Sequence, residues 1–559
     1  MRCRVAVVVL AAVAPLAGVA ESGAPAPRLV WSGPEVTLLG GPSPDGRYLS
    51  YVDPATRNLA VREIATGRSR LVTQNPSGSA EYAYFSVFSR DSRRLAYAWL
   101  NGEGFYDLRV IDRDGSNQRI LYGNQQAGFV QPCAWTPDSK SILTLLFRAD
   151  NISQIVLVPA EGGPPKVLRS LHWVYPKKMD LSPDGRHIVY DSFVDEATGD
   201  RSVFLLTLDG ARERRLVDAP GNHLFPLWMP DGKRIVYASD RTGTMDAWEL
   251  RVENGEPAGR PRLLRRDLSR ILPMGITTEG DFYFGLRSGS VDVFVTKLGD
   301  PAPNARRATR RYPGRNVAPA WSPDGMALAY LSRRGSENFG QESRAIVIRR
   351  LDSEQERELL PRLAHLERVR WSPDGKALLV SGSDNKGRGG LYAVDPQSAA
   401  ATPVVTEAGA GFRGFEGLWA VDGRSVFYLH GAGELRSREM DTGRESTLFR
   451  GARLRHLASS PDGRLLAVGE GEAGIVIIPA AGGPPRRLQF AGLTELEWGR
   501  ELVAARGAEL WRVPLDEGAP VRFESPGNRQ SGFSLHPDGE RVALTAGDIK
   551  PEVWVLPLR

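Results

Sequence analysis

The segment Trp321-Ser-Pro-Asp-Gly-Met-Ala-Leu-Ala-Tyr-Leu-Ser332 constrains this chain more than any other, because the chain repeats it. An apolar residue leads into a Pro-Asp-Gly turn, and an alternating apolar run leads out. Proline presets φ for the turn, aspartate accepts a backbone hydrogen bond within it, and glycine tolerates the conformation that closes it. The flanks read as two antiparallel strands joined in a hairpin. The turn recurs at Asp45, Asp91, Asp138, Asp184 and Asp231, then degenerates to Thr278-Glu279-Gly280. It returns at Asp324, Asp374, Asp422 and Asp462, is nearly lost at Gly499-Arg500-Glu501, and reappears at Asp538. That makes twelve units, about 37 to 50 residues apart.

Each unit carries further strands. Trp135, Trp228, Trp321, Trp371, Trp419 and Trp498 fall at one phase before the turn, so half of the twelve tryptophans share one packing role between neighbouring sheets. Second strands such as Leu95-Ala-Tyr-Ala98 and Ile235-Val-Tyr237 follow the turn, and third strands such as Leu108-Arg-Val-Ile111 and Ile475-Val-Ile-Ile478 follow a variable loop. A Gly-rich turn then leads to a short fourth strand, for example Arg215-Leu216-Val217. No helical periodicity interrupts the pattern, which predicts an all-β chain of four-stranded antiparallel propeller blades.

One ring of twelve blades exceeds the usual four to eight, so tandem β-propellers of six blades each are expected, with a seven-plus-five split as the rarer alternative. The predicted boundaries are a signal peptide over 1–20, a first propeller over 21–299 and a second over 300–559. Arg28-Leu29-Val30 reads as an orphan fourth strand that completes the sixth blade, whose own three strands end near Lys297. Arg306 to Thr309 would close the second ring, whose last unit stops after its third strand, Val553-Trp-Val-Leu556.

Residues 1–20 place Arg2 and Arg4 before the apolar run Val5 to Ala17, with small residues ahead of Glu21. That is the pattern of a secretory signal peptide, and no later segment is apolar enough to span a bilayer. Export to a bacterial periplasm or beyond is therefore expected, which makes nucleic acid an improbable target. Cleavage would leave Cys133 as the sole cysteine, read as a buried strand residue. The net charge of +6 is mild for 559 residues. It concentrates between Arg260 and Arg315, where twelve Lys or Arg face five Asp or Glu. Ion pairing or a solvated edge is the expected role there.

The units resemble the TolB-type WD40-like propeller repeat, with Trp228-Met-Pro-Asp-Gly-Lys-Arg-Ile-Val-Tyr-Ala-Ser-Asp240-Arg241-Thr-Gly243 as the nearest match. The resemblance implies the propeller fold. For function it implies only a range, from binding proteins and sensor domains to the propellers of prolyl oligopeptidase-like enzymes.

Catalytic signatures are missing: there is no Gly-x-Ser-x-Gly elbow, Walker loop, His-Glu-x-x-His or Cys-x-x-Cys. The turn aspartates, one per blade, do not supply the six to eight clustered oxygens calcium takes. No metal and no cofactor is expected. Ligands of propellers usually meet the loops entering the inner strands and joining strands two and three. That places candidate binding residues at Tyr84, Phe129, Tyr175, Lys177, His223 and Arg241 in the first ring, with Tyr82 beside them. In the second ring the candidates are Asn316, Arg370, Arg413 and His456, with Arg368. Charged inner-strand residues such as Lys178 and Arg370 would line a wet channel or pair with a neighbouring blade's carboxylate. The expected function is a monomeric, exported, non-enzymatic binding or scaffold protein for an envelope protein or glycan. The alternative is a propeller enzyme (hydrolase or lyase) with a channel-mouth site, or an accessory propeller of a peptidase system.

Overall fold

The computed structural model describes residues 26–558 apart from 76–80, 124–126, 149, 151, 172–174, 196–199, 267–270, 301–303, 311–313, 335–342, 385, 408–414, 432, 472–473, 517 and 524–528. The expected signal peptide and Arg413 lie outside the described residues. The described chain is all-β, with no α-helix. Eight four-stranded antiparallel sheets follow simple chain order. One of them is Tyr82–Phe88, Arg94–Leu100, Tyr106–Asp112 and Arg119–Gly123. These are propeller blades, built by the repeat as the sequence predicts.

The turn itself is cross-braced by a hydroxyl two residues before the aspartate. Ser322 Oγ donates to Asp324 Oδ1 at 2.5 Å and accepts from the Ala327 amide at 2.8 Å, while Asp324 Oδ1 also takes the Met326 amide at 2.9 Å. Ser43, Ser89, Thr136, Ser182, Ser372 and Ser460 bond the aspartate of their own turns in the same way. The aspartate is spent on the hairpin, and no group of three metal-ligating side chains occurs among the described residues.

The cores lie between sheets. Trp135 packs with Ala96 and Val110 of the preceding blade and with Ile142 and Val156 of its own. Its indole Nε1 donates to Val87 O of the preceding inner strand at 3.1 Å, and Trp371 Nε1 does the same to Ala320 O at 3.2 Å. These two tryptophans therefore each wedge two blades and spend their polar atom on the joint.

The closing arrangement differs from the expected one. Asp281–Lys297 and Arg541–Pro557 are each 17 residues long and pair antiparallel without a break, from Asp281 opposite Pro557 to Lys297 opposite Arg541. Arg28–Ser32 pairs with Glu552–Val555 of the second long strand rather than with the segment ending at Lys297. One end of the ribbon thus joins Leu272–Ile276, Asp281–Leu286, Glu552–Pro557 and Arg28–Ser32 into a blade. The other end joins Arg529–Leu535, Arg541–Ala546, Val291–Lys297 and Arg306–Arg307. Between the two, Gly289 and Gly547 have φ of +99° and +151°, and a Cβ on either would sit 1.9 Å from the facing carbonyl oxygen. Only glycine lets the strands cross that closely.

Candidate functional site

The inner strands carry a bulge at which one non-glycine residue takes a left-handed conformation. Phe85, Phe225, Ala318 and His456 have φ of 34°, 57°, 53° and 57°, each where the strand register shifts. A bulge re-aims neighbouring side chains and frees an amide. A carboxylate on another inner strand takes the freed amide in several places. Asp180 Oδ2 accepts from Trp228 N at 2.9 Å, Glu416 from His456 N at 2.9 Å and Leu457 N at 3.1 Å, and Glu495 from Gly532 N at 2.8 Å.

Before the first bulges, aromatic rings form a half-buried collar. Phe129 lies 5.1 Å from Tyr106 and 5.9 Å from Tyr84 between ring centroids, and the Tyr82 and Tyr106 hydroxyls are 3.2 Å apart. Tyr175 packs edge-on to Phe147 at 6.2 Å. Arg201, buried and paired with Asp191 at 2.8 Å, donates to Tyr175 O and so fixes its loop. Burial, and then the neighbouring Tyr82, raise the Tyr84 hydroxyl above its usual pKa, with Arg287 opposing. Burial raises the Tyr175 hydroxyl in the same direction.

Below the collar, a cavity of about 220 Å³ runs along six inner strands, from Phe85, Lys177 and Phe225 to the turn prolines Pro44, Pro183 and Pro230. Its charged lining is Arg90, Lys177, Lys178 and Asp180, with the Cys133 thiol alongside. Arg90 Nη2 donates to Leu181 O at 3.2 Å, and Lys178 Nζ to Met274 O at 3.4 Å. Burial pulls Lys178 below the ordinary lysine range against the attraction of Asp180. Burial likewise lifts Asp180 against Arg90 and the Trp228 amide, and pushes Cys133 up to about 12. In this cavity desolvation outweighs pairing.

The corresponding axis of the later blades is filled by ions. Arg368 Nη2 meets Glu495 at 3.2 Å, its Nη1 meets Glu416 at 3.5 Å, and Arg370 Nη2 meets Glu497 at 3.0 Å. Leu363–Trp371 and Glu495–Trp498 belong to sheets that are not neighbours, so these pairs cross the axis. Burial opposes ionisation of Glu416, yet Arg368, His456 and Arg370 hold it below the usual carboxylate range. Burial raises Glu497 despite Arg370 and lowers His456 despite Glu416.

Of the residues singled out from sequence, Tyr84, Phe129 and Tyr175 come together at the collar, and Lys177 lines the cavity. Arg370 and His456 join the ionic network, where Arg370 pairs with another blade's carboxylate. His223 is fully buried between Ser239 Oγ at 2.8 Å and Ala219 O at 3.0 Å. Arg241 stacks on Trp248 at 4.4 Å, and Asn316 is buried against Asp292 at 2.7 Å. Those three brace the scaffold. Sequence reasoning missed Arg90, Asp180, Glu416, Glu495 and Glu497. The signal of the carboxylates is a charge in or directly before an inner strand, a few residues ahead of the turn, whereas Arg90 stands in the turn itself, where other units carry proline. In the basic stretch, Arg262 and Arg307 pair with Glu249 and Asp292 at 3.2 Å and 3.7 Å, and Arg310 pairs with Glu354.

A TolB beta propeller domain model matches residues 86–260, within the blades just described. Over that stretch the chain is similar to the TolB-type β-propeller family. It is 25% identical over 293 residues to an uncharacterised protein of Agrobacterium fabrum, covering 49% of this chain and 91% of that one. A TolB homolog of Chlorobium luteolum is 24% identical over 291 residues, covering 49% of this chain and 64% of its own length. Dipeptidyl-peptidase 5 of Porphyromonas gingivalis is 34% identical over 116 residues, covering 19% of this chain and 16% of that protein. The propeller thus spans nine-tenths of the first relative and less than two thirds of the other two. No helix among the described residues is long and apolar enough to cross a membrane.

Proposed function

We propose that this chain is an exported, non-enzymatic binding protein of the bacterial cell envelope. Its first propeller receives a protein or glycan partner on the aromatic collar. We take the blades to form two closed rings of six, joined through the shared ribbon. The observation that carries the reading is the collar itself. Tyr82, Tyr84, Tyr106, Phe129, Phe147 and Tyr175 stay half-exposed at one end of the inner strands. Half-exposed aromatic rings with polar tips suit contact surfaces, because they offer large area at little conformational cost.

The test is capture from envelope extract by the purified full chain, compared with Tyr84→Ala and Phe129→Ala. A partner retained by the wild type and lost on both changes, with melting preserved, supports the reading. Capture that is indifferent to both changes sinks it.

A further inference from the structure

The cavity beneath the collar has a chemistry of its own. Three cations, Arg90, Lys177 and Lys178, line it against one carboxylate, Asp180. Asp180 is already engaged, because its two oxygens accept the Leu181 amide at 2.9 Å and the Trp228 amide at 2.9 Å. Among the described residues the Lys178 ammonium donates one long bond, to Met274 O at 3.4 Å, although an ammonium has three protons to donate. Arg90 spends one bond of five on Leu181 O. Arg90 and Lys178 together therefore bring more donors than the Leu181 and Met274 carbonyls take up. The remaining walls are apolar: Leu38, Val87, Phe225, Leu272 and Met274, with Pro132 and Pro273. A volume of about 220 Å³ falls below the roughly 300–1,000 Å³ of drug-sized pockets. It suits a chain end rather than a folded surface. The turn prolines Pro44, Pro183 and Pro230 belong to its lining, as does Phe85, which packs against the collar rings Tyr84 at 4.6 Å and Phe129 at 5.9 Å.

We propose that this cavity captures the free C-terminal carboxylate of an extended peptide, seated on the Arg90 guanidinium and the Lys178 ammonium with an apolar last side chain against the Phe225 and Met274 wall. Arg90 offers a planar fork to a carboxylate, and Lys178 adds a point charge from the facing strand. Enclosure strengthens both contacts. The occupant enters from the turn end, so this site is separate from the collar and can fail without it.

The test uses the full chain and reads the emission of Trp135 and Trp228, which line the cavity, with calorimetry as a cross-check. The probes are N-acetyl-Ala-Leu as the free acid, the same dipeptide as its carboxamide, 4-methylpentanoate and inorganic phosphate. The expected result is that the free acid binds at least about tenfold tighter than the amide, the scale of one charge-assisted hydrogen bond. It should also bind more tightly than 4-methylpentanoate or phosphate. Lys178→Met and Arg90→Gln should each erase the preference for acid over amide, and Lys178→Arg should restore part of it. Equal binding of acid and amide overturns the proposal, as does no binding of either. A match by 4-methylpentanoate would make this a site for small free acids, and a match by phosphate a general anion site. Both results contradict a peptide terminus. If Lys178→Met does not fold, the acid–amide comparison on the wild type decides alone. Acid–amide equality alongside partner capture that still depends on Tyr84 would remove the cavity proposal and leave the collar reading standing.

Discussion

Two axes built from one repeat have opposite interiors. Along the first, the inner strands leave a cavity in which Lys178 and Asp180 are both pushed toward neutrality by burial. Along the second, Arg368 and Arg370 reach across to Glu495 and Glu497, and Arg368 also meets Glu416 of the following blade, where pairing keeps Glu416 ionised against its burial. The repeat prescribes the hairpin and the tryptophan wedge, while a handful of inner-strand positions decide what fills the axis. The repeat is therefore a neutral frame, and its inner-strand charges decide whether the axis keeps a cavity or is filled by ion pairs. Matched buried pairs contribute little net stability but cost heavily when one member is removed. The second axis should be rigid and intolerant, and the first tolerant.

The largest expected effect concerns how the two halves are joined. Removing residues 551–559 takes Val553, Val555 and Leu556 from a blade otherwise built by Leu272–Ile276, Asp281–Leu286 and Arg28–Ser32. At about 1.5–3 kcal/mol for each buried side chain, the loss is at least about 5 kcal/mol. Hydrogen exchange should show protection lost over 28–32 and 272–287, far away in sequence. Loss confined to 529–546 would show that the C-terminal strand belongs to its own half. A fragment ending at residue 299 should fail to fold alone and recover when a peptide of residues 541–559 is supplied.

Acid should distinguish the axes next. His456 has its pKa lowered by burial, so the folded state favours the neutral ring. Its contribution is present above the unfolded value of about 6.5 and is lost as pH falls through the folded value. Glu416, also depressed, adds a second loss below about pH 4.3. Glu497 has the opposite sign: its raised value gives stability that is full at low pH and lost as pH rises. His456→Asn, which tolerates the left-handed backbone, should flatten the fall in Tm between pH 7 and pH 5. An unchanged slope would remove His456 from the acid response.

The smallest effect belongs to the repeat itself. Asp324→Ala removes the acceptor of the Ser322 hydroxyl and the Met326 amide on an exposed turn, and should cost about 1 kcal/mol by denaturant unfolding. A cost of 3 kcal/mol or more would mean that this turn does more than close a hairpin.

Much of this was legible in the sequence. Ser322-Pro-Asp-Gly325 announces its hairpin because every residue in it meets a local demand, and Trp135 or Trp371 announces a blade joint by its phase. Tyr84 and Phe129 lie near the start of inner strands and Tyr175 just before one, the positions at which the sequence pattern places a loop face. The exchange of the long strands was not legible. Val553-Trp-Val-Leu556 alternates identically whichever sheet receives it, and only Gly289 and Gly547 mark the crossing. Nor could spacing reveal that Glu495 faces Arg368, since the partners lie on opposite sides of an axis and 127 residues apart. Spacing likewise does not distinguish His223, buried with both ring nitrogens bonded, from a histidine at a channel mouth.

The contrast between the axes is tested most directly by unfolding Arg368→Met and Lys178→Met side by side in denaturant. Arg368→Met strands Glu416 and Glu495 and should cost about 3–5 kcal/mol. Lys178→Met replaces a desolvated ammonium with an apolar side chain of similar length and should change stability by less than about 1 kcal/mol. Equal costs, or a larger cost at Lys178, would contradict the division into a sealed axis and an open one.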